Sequence, residues 1–234
     1  MRRTSVVAVV AAALLGAMAP TAGAAPAGPA TAVEGVPLHE AVAALPVADE
    51  NREGYNRLTS FGGWIDADRD GCNTRAEVLL EEAVVPPEVS GRCTLTGGLW
   101  YSYYDDAYRE GGLDIDHLVP LAEAWDSGAS AWTKAERVAY ANDLTDPVHL
   151  VAVTATYNRQ KADKDPADWM PPYAGARCRY ITEWVHVKMR YHLSVDTREK
   201  DALTAYAAQC PDVPVTTDPA TLTAGAGTIS AGHW

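Results

Sequence analysis

The chain has 234 residues, with 19 Lys and Arg against 31 Asp and Glu and a formal net charge of −12. That balance excludes holding a long nucleic-acid backbone by bulk electrostatics, and leaves room only for local cation contacts to phosphate. The length suffices for one domain with its own core, and no apolar run reaches the roughly 20 residues of a membrane span.

Arg2 and Arg3 precede the apolar run Val6 to Met18, and Ala22-Gly23-Ala24 offers small residues for cleavage. Residues 1–24 are therefore expected to be a signal peptide, which makes the chain secreted and extracellular with no stable membrane anchor. Its removal takes away Arg2 and Arg3 and no acid, moving the charge from −12 to −14. Residues 25–36 are Ala/Pro/Gly-rich and expected to be flexible, residues 37–210 to fold, and the Pro/Thr/Gly/Ala-rich stretch 211–234 to be disordered.

Cys72, Cys93, Cys178 and Cys210 all lie in the exported part and allow three pairings. Joining Cys72 to Cys93 and Cys178 to Cys210 is favoured, because each bond staples neighbouring elements. No close cysteine pair supports a zinc or thiol-redox reading.

In chain order, Leu38 to Leu45 reads as a short helix, and Tyr55, Phe61 and Trp64 as packing aromatics. Asp66, Asp68, Asp70 and Glu77 stand at positions 1, 3, 5 and 12 of a calcium loop, with Gly71 at position 6. Arg92 to Thr96 and Leu99 to Tyr104, split by Gly97-Gly98, predict a hairpin. Asp114 to Val119 alternates as a strand that Pro120 ends. In it Asp116 offers a hard oxygen ligand and His117 a base that titrates near neutral pH.

Thr133 and Glu136 form a capping box for a helix over 134–142. Leu150 to Val153 predicts a buried strand, and Thr154 a cap for a helix that places Asn158 and Lys161 on one face. Residues 180–193 predict a packed helix, whose His186 and His192 are spaced wrongly for a zinc pair. Asp196 and Glu199 form a second capping box for a helix reaching Cys210. The cations of Arg177 to Lys200 are expected to form a locally positive wall.

From Leu113 to Pro172 the chain resembles the HNH, or ββα-metal, endonucleases, especially secreted bacterial HNH nucleases and the nuclease part of GmrSD-type restriction enzymes. The resemblance implies an α+β fold, with a ββα-metal core, flanking helices and an additional hairpin. It also implies Asp116 and Asn158 as metal ligands, His117 as general base and Lys161 as the basic residue after the last motif position. His149 stands where the family commonly has Asn holding the loop between the two strands. The run Gly71-Cys72-Asn73-Thr74-Arg75 resembles a segment of the secreted members, and on that reading the stretch is a structural turn, Thr74 caps a helix over 75–83 and Arg75 projects toward the active-site phosphate.

The function so implied is a secreted endonuclease using Mg²⁺, with Mn²⁺ also suitable. DNA is its expected substrate, RNA remains open, and no obligate protein partner is expected. A structural Ca²⁺ on Asp66, Asp68, Asp70 and Glu77 would be separate. Two alternatives stand beside it: a non-catalytic calcium-binding or cell-wall-associated module, and a metallohydrolase of another phosphate ester.

Overall fold

The apolar stripe of one long helix organises the core. In the computed structural model, which describes residues 35–216, that helix buries Tyr180, Ile181, Trp184, Val185 and Val187. These positions recur at helical spacing and so face one side. The expected leader, the segment up to residue 34, the tail from residue 217 and His233 lie outside the described residues.

The elements run β1 (Val36–Pro37), α1 (Leu38–Ala44), α2 (Arg57–Phe61), α3 (Thr74–Glu81), β2 (Ala83–Val85), β3 (Glu88–Ser90), β4 (Thr94–Thr96), β5 (Leu99–Ser102), β6 (Ala107–Arg109) and β7 (Leu113–His117). They continue with α4 (Leu121–Asp126), α5 (Lys134–Ala141), β8 (Leu150–Thr154), α6 (Ala155–Lys161), α7 (Arg177–Arg190), α8 (Thr197–Ala207) and β9 (Pro214–Val215). Helices beside small antiparallel sheets make this an α+β fold.

Leu38, Val42, Leu118, Trp125, Tyr140, Val151, Leu203 and the α7 stripe share one apolar cluster. A second cluster holds Val78, Leu79, Trp100, Leu113, Ile115, Leu150 and Ala152, sealing the β7–β8 pair against α3. β1 pairs with β9, β2 with β5, β5 with β6, β3 with β4 and β7 with β8, all antiparallel. Cys72 is bonded to Cys93 and Cys178 to Cys210.

Several local expectations change. The stretches about Gly97-Gly98 do not pair with each other: β4 joins β3, and β5 lies between β2 and β6. Gly98 has φ 96°, and a Cβ there would lie 2.4 Å from the Trp100 ring, so the chain crosses between ladders there without room for a side chain. The cap of α3 is Asn73, which accepts from Ala76 N–H. Thr74 instead donates to the Asn142 side chain. Thr154 sits at the start of α6, but its hydroxyl donates to Asp105 rather than capping. The box on α5 is complete, whereas Asp196 caps α8 alone, because Glu199 turns inward to Trp184 and Lys188.

Four of the six cations of the expected positive wall are neutralised by acids. Arg179 pairs with Glu183, Arg190 with Asp143 and Asp146, Arg198 with Asp168, and Lys188 is buried against Glu123 and Glu199.

Candidate active site

β7 is extended, so its side chains alternate between two faces. Leu113 and Ile115 enter the second apolar cluster. Asp114 and Asp116 point the other way, where α6 covers them. Asn158 Nδ2 donates to Asp114 Oδ2 at 3.3 Å, and the Arg159 guanidinium donates to both Asp114 oxygens at 3.1 and 3.3 Å. Lys161, whose side chain is 0% exposed, donates to Asp116 Oδ2 at 2.5 Å and to the His117 carbonyl at 2.9 Å. The Tyr104 hydroxyl donates to the same Asp116 oxygen at 2.5 Å.

Burial pushes the Asp116 carboxyl up against the opposing pull of Lys161, and the same burial pushes Lys161 down. Asp116 Oδ1 and Asn158 Oδ1 accept no hydrogen bond among the described residues. These are hard oxygen donors of the chemical kind Mg²⁺ takes, and the structure brings Asn158 against Asp114 rather than against Asp116.

His117 ends β7 on the Leu113–Ile115 face and stacks on Trp64, with centroids 5.1 Å apart and planes 3° apart. Its Nε2 lies 3.0 Å from the Ala141 carbonyl oxygen. A carbonyl only accepts, so Nε2 carries the proton and the lone pair sits on Nδ1. Nδ1 has no hydrogen-bond partner among the described residues. Burial, reinforced by His149 and nearby cations, holds the His117 pKa well below the ordinary value and the ring neutral.

His149 is bound in the same way one residue back, its Nε2 donating to the Tyr140 carbonyl at 2.7 Å. Its ring meets Tyr140 and Tyr191 at centroid distances of 4.5 and 5.0 Å, and its Nδ1 is buried without a partner. Tyr140 and Ala141 are the last two residues of α5, where helix carbonyls run out of intrahelical donors. The helix inserted between β7 and β8 thus uses its free end to fix both imidazoles.

Two expected groups lie elsewhere. Arg75 donates to the Leu113 carbonyl at 3.3 Å and lines a cavity of about 470 Å³ together with Arg92 and Glu110. It does not touch Asp116, His117 or Asn158. Oxygens of Asp66, Asp68 and Asp70 lie within 4.8 Å of one another, and Asp70 and Glu77 are likewise within 4.8 Å. Glu77 Oε1 is buried without a partner, and burial together with the three aspartates pushes the Glu77 carboxyl up.

A family model for the C-terminal domain of GmrSD restriction endonucleases matches residues 86–206, which contain β7, α5, β8 and α6. The chain belongs to that family. An "uncharacterized secreted protein" of Arthroderma benhamiae is 42% identical over 161 residues, covering 68% of this chain and 77% of that protein. No solved structure matches the chain. The matched family segment begins after the acidic loop, so Asp66 to Glu77 and Arg75 lie outside it.

Four groups that contact the candidate residues carry no local sequence signal for that place: Tyr104, Trp64, Arg159 and the Ala141 carbonyl. Asp114 was visible only as part of a strand pattern. The sole sequence signal for its role was the alternation that puts it on the face of Asp116.

Proposed function

We propose that the chain is a secreted, metal-dependent endonuclease that hydrolyses phosphodiester bonds, with DNA as its main substrate. The observation that carries this reading is the neutral His117, tied through Nε2 to Ala141 and left with its lone pair on Nδ1. It sits beside Asp116, on the strand whose other face meets Asn158 and α6. Membership in a family named for restriction endonucleases supports it, as does a relative named as secreted.

In this reading His117 Nδ1 takes the proton of the attacking water, and the Ala141 carbonyl steadies the ring that becomes charged. Asp116 and Asn158 would hold Mg²⁺, and Mn²⁺ suits the same oxygens. When bound, the ion supplies positive charge to the phosphate and to the departing oxygen. Lys161 and Tyr104 position Asp116 by fixing its other oxygen, and Lys161 touches no reacting atom. His149 holds the end of α5. Arg75 and Arg92, neither ion-paired among the described residues, offer guanidinium contacts to phosphates flanking the cleaved one. A structural Ca²⁺ on Asp66, Asp68, Asp70 and Glu77 is a separate part of the proposal, favoured by the unpartnered Glu77 Oε1.

Metal-dependence curves test the assignment. Asp116→Ala and Asn158→Ala are expected to need more Mg²⁺ for half-maximal cleavage, with defects that shrink as Mg²⁺ rises. Half-maximal Mg²⁺ unchanged in both variants refutes the ligand assignment. Equal turnover of a small phosphodiester and of DNA would favour the phosphate-ester alternative.

A further inference from the structure

The cavity of about 470 Å³ opens where α3, the turn between β3 and β4 and the start of β7 meet, and Arg75, Arg92, Glu110 and Leu113 are among its walls. Its two arginines are tied together. Cys72, three residues before Arg75, is bonded to Cys93, the residue after Arg92. The two backbones also approach closely, since a Cβ on Gly71 would lie 3.9 Å from the Arg92 Cα. Arg75 is fixed further by its contact to the Leu113 carbonyl at 3.3 Å.

Neither arginine is ion-paired among the described residues, and Glu110, though it lines the same space, pairs with neither. The acids of the neighbouring loop turn inward. Asp66 accepts from Gly71 N–H and Asp70 from Cys72 N–H, and no aspartate of that loop lines the cavity. Two guanidinia thus face one recess in a chain of net charge −12. Planar guanidinium groups match the oxygens of a phosphate, to which they donate in pairs.

The position of the cavity along β7 adds a spacing. Arg75 touches Leu113, and His117 lies four residues further along the same strand. At about 3.3 Å per residue the two are about 13 Å apart, which equals about four steps of a nucleic-acid strand at about 3.4 Å each.

We propose that this cavity is a phosphate subsite in which Arg75 and Arg92 clamp the backbone of the DNA substrate about four nucleotides from the bond that is cleaved. The inference rests on the nuclease reading and deepens it: the preferred substrate is a strand that continues at least that far to one side. A chain this acidic does not hold DNA by bulk charge, so a preformed remote contact sets where the strand lies.

Two measurements test it. In the first, excess chelator prevents turnover, and the affinity for a labelled DNA duplex is followed by fluorescence anisotropy across a salt series. Losing one phosphate contact should make the slope of log affinity against log salt shallower by about 0.9 in Arg92→Gln. Arg92 is exposed, so the substitution leaves the core intact, and Arg75→Gln serves as a second variant. A slope unchanged in both variants overturns the proposal. In the second, DNA carrying a single uncharged methylphosphonate linkage is cleaved with Mg²⁺ and the cuts are mapped. The wild type should cut about threefold or more less often at the bond about four steps to one side of that linkage, and Arg92→Gln should show no such gap. Wild-type cuts as frequent there as elsewhere overturn the proposed spacing. A wild type that cuts no DNA, yet binds it with a slope that Arg92→Gln makes shallower, sinks the nuclease reading while supporting the cavity as a phosphate site, so the two failures are told apart.

Discussion

Replacing Lys161 with Met removes the cation from beneath Asp116 while keeping most of the side-chain volume. The ammonium is fully buried and makes two contacts, to Asp116 Oδ2 at 2.5 Å and to the His117 carbonyl at 2.9 Å. In the variant the Asp116 carboxylate keeps Tyr104 as its only hydrogen-bond donor among the described residues, in a setting whose burial already disfavours its charge. Breaking one half of a buried ion pair costs about 3 to 5 kcal/mol, a large part of the roughly 5 to 15 kcal/mol that holds a domain together. For a domain of this size that is a fall in Tm of roughly 6 to 20 °C. Urea unfolding of the wild type, Lys161→Met, Asp116→Asn and the double variant measures it. The double variant should cost less than the sum of the singles, because the second substitution removes the charge that the first left stranded. A cost below about 1 kcal/mol for Lys161→Met, the level of a solvent-exposed pair, would refute the claim that this contact holds Asp116 in place.

Glu82, which accepts from Ala152 N–H at 2.8 Å on β8, has its pKa raised to about 7 by burial. A raised carboxyl favours folding below the unfolded pKa near 4.5, and that contribution is lost as pH climbs through about 7. Glu82→Gln should therefore flatten the decline in stability between those values by up to about 3 kcal/mol in pH-dependent denaturant melts, and an unchanged slope would count against it. His117 and His149 have lowered pKa values, so their contribution is present above pH 6.5 and is lost on acidification. A His149→Asn variant should lose less stability than the wild type as pH falls below 6.5, and should keep most of the cleavage rate at neutral pH. A rate loss as large as that of His117→Ala would mean that the base is assigned to the wrong ring. Replacing Cys178 and Cys210 together by Ser should cost about 3 to 4 kcal/mol by loop entropy, and an equally stable variant would show that the bond is dispensable. Ca²⁺ titration of the wild type against Asp70→Ala should show one binding event lost, and identical isotherms would remove the acidic-loop site.

What the sequence made readable was local. The alternation of Asp114 to His117, the spacing of Asn158 to Lys161 and the box from Thr133 to Glu136 each depend on residues within a turn or a strand, and each can be followed directly in the fold. What it hid was set by distant packing. Nothing near His117 announces that Trp64 stacks on it or that a helix end 24 residues away accepts its Nε2 hydrogen bond. Lys188 reads as a surface cation on a basic segment, yet it is buried because Glu123, Glu199, Ser127 and the Ser194 carbonyl all converge on its ammonium. The Gly97-Gly98 pair reads as a hairpin turn, but the strands on either side find better partners in β3 and in β2 and β6. Pairing in short strands is decided by such neighbours rather than by the turn alone.

Cleavage of supercoiled plasmid by the wild type and by His117→Ala, with Mg²⁺ and with excess chelator, tests the central claim most directly. The account predicts nicked and then linear circles with Mg²⁺, none with chelator, and a rate lowered by about 10²-fold or more in His117→Ala at unchanged half-maximal Mg²⁺. Closed circles left intact by the wild type with Mg²⁺, or nicked as fast by His117→Ala, would contradict it.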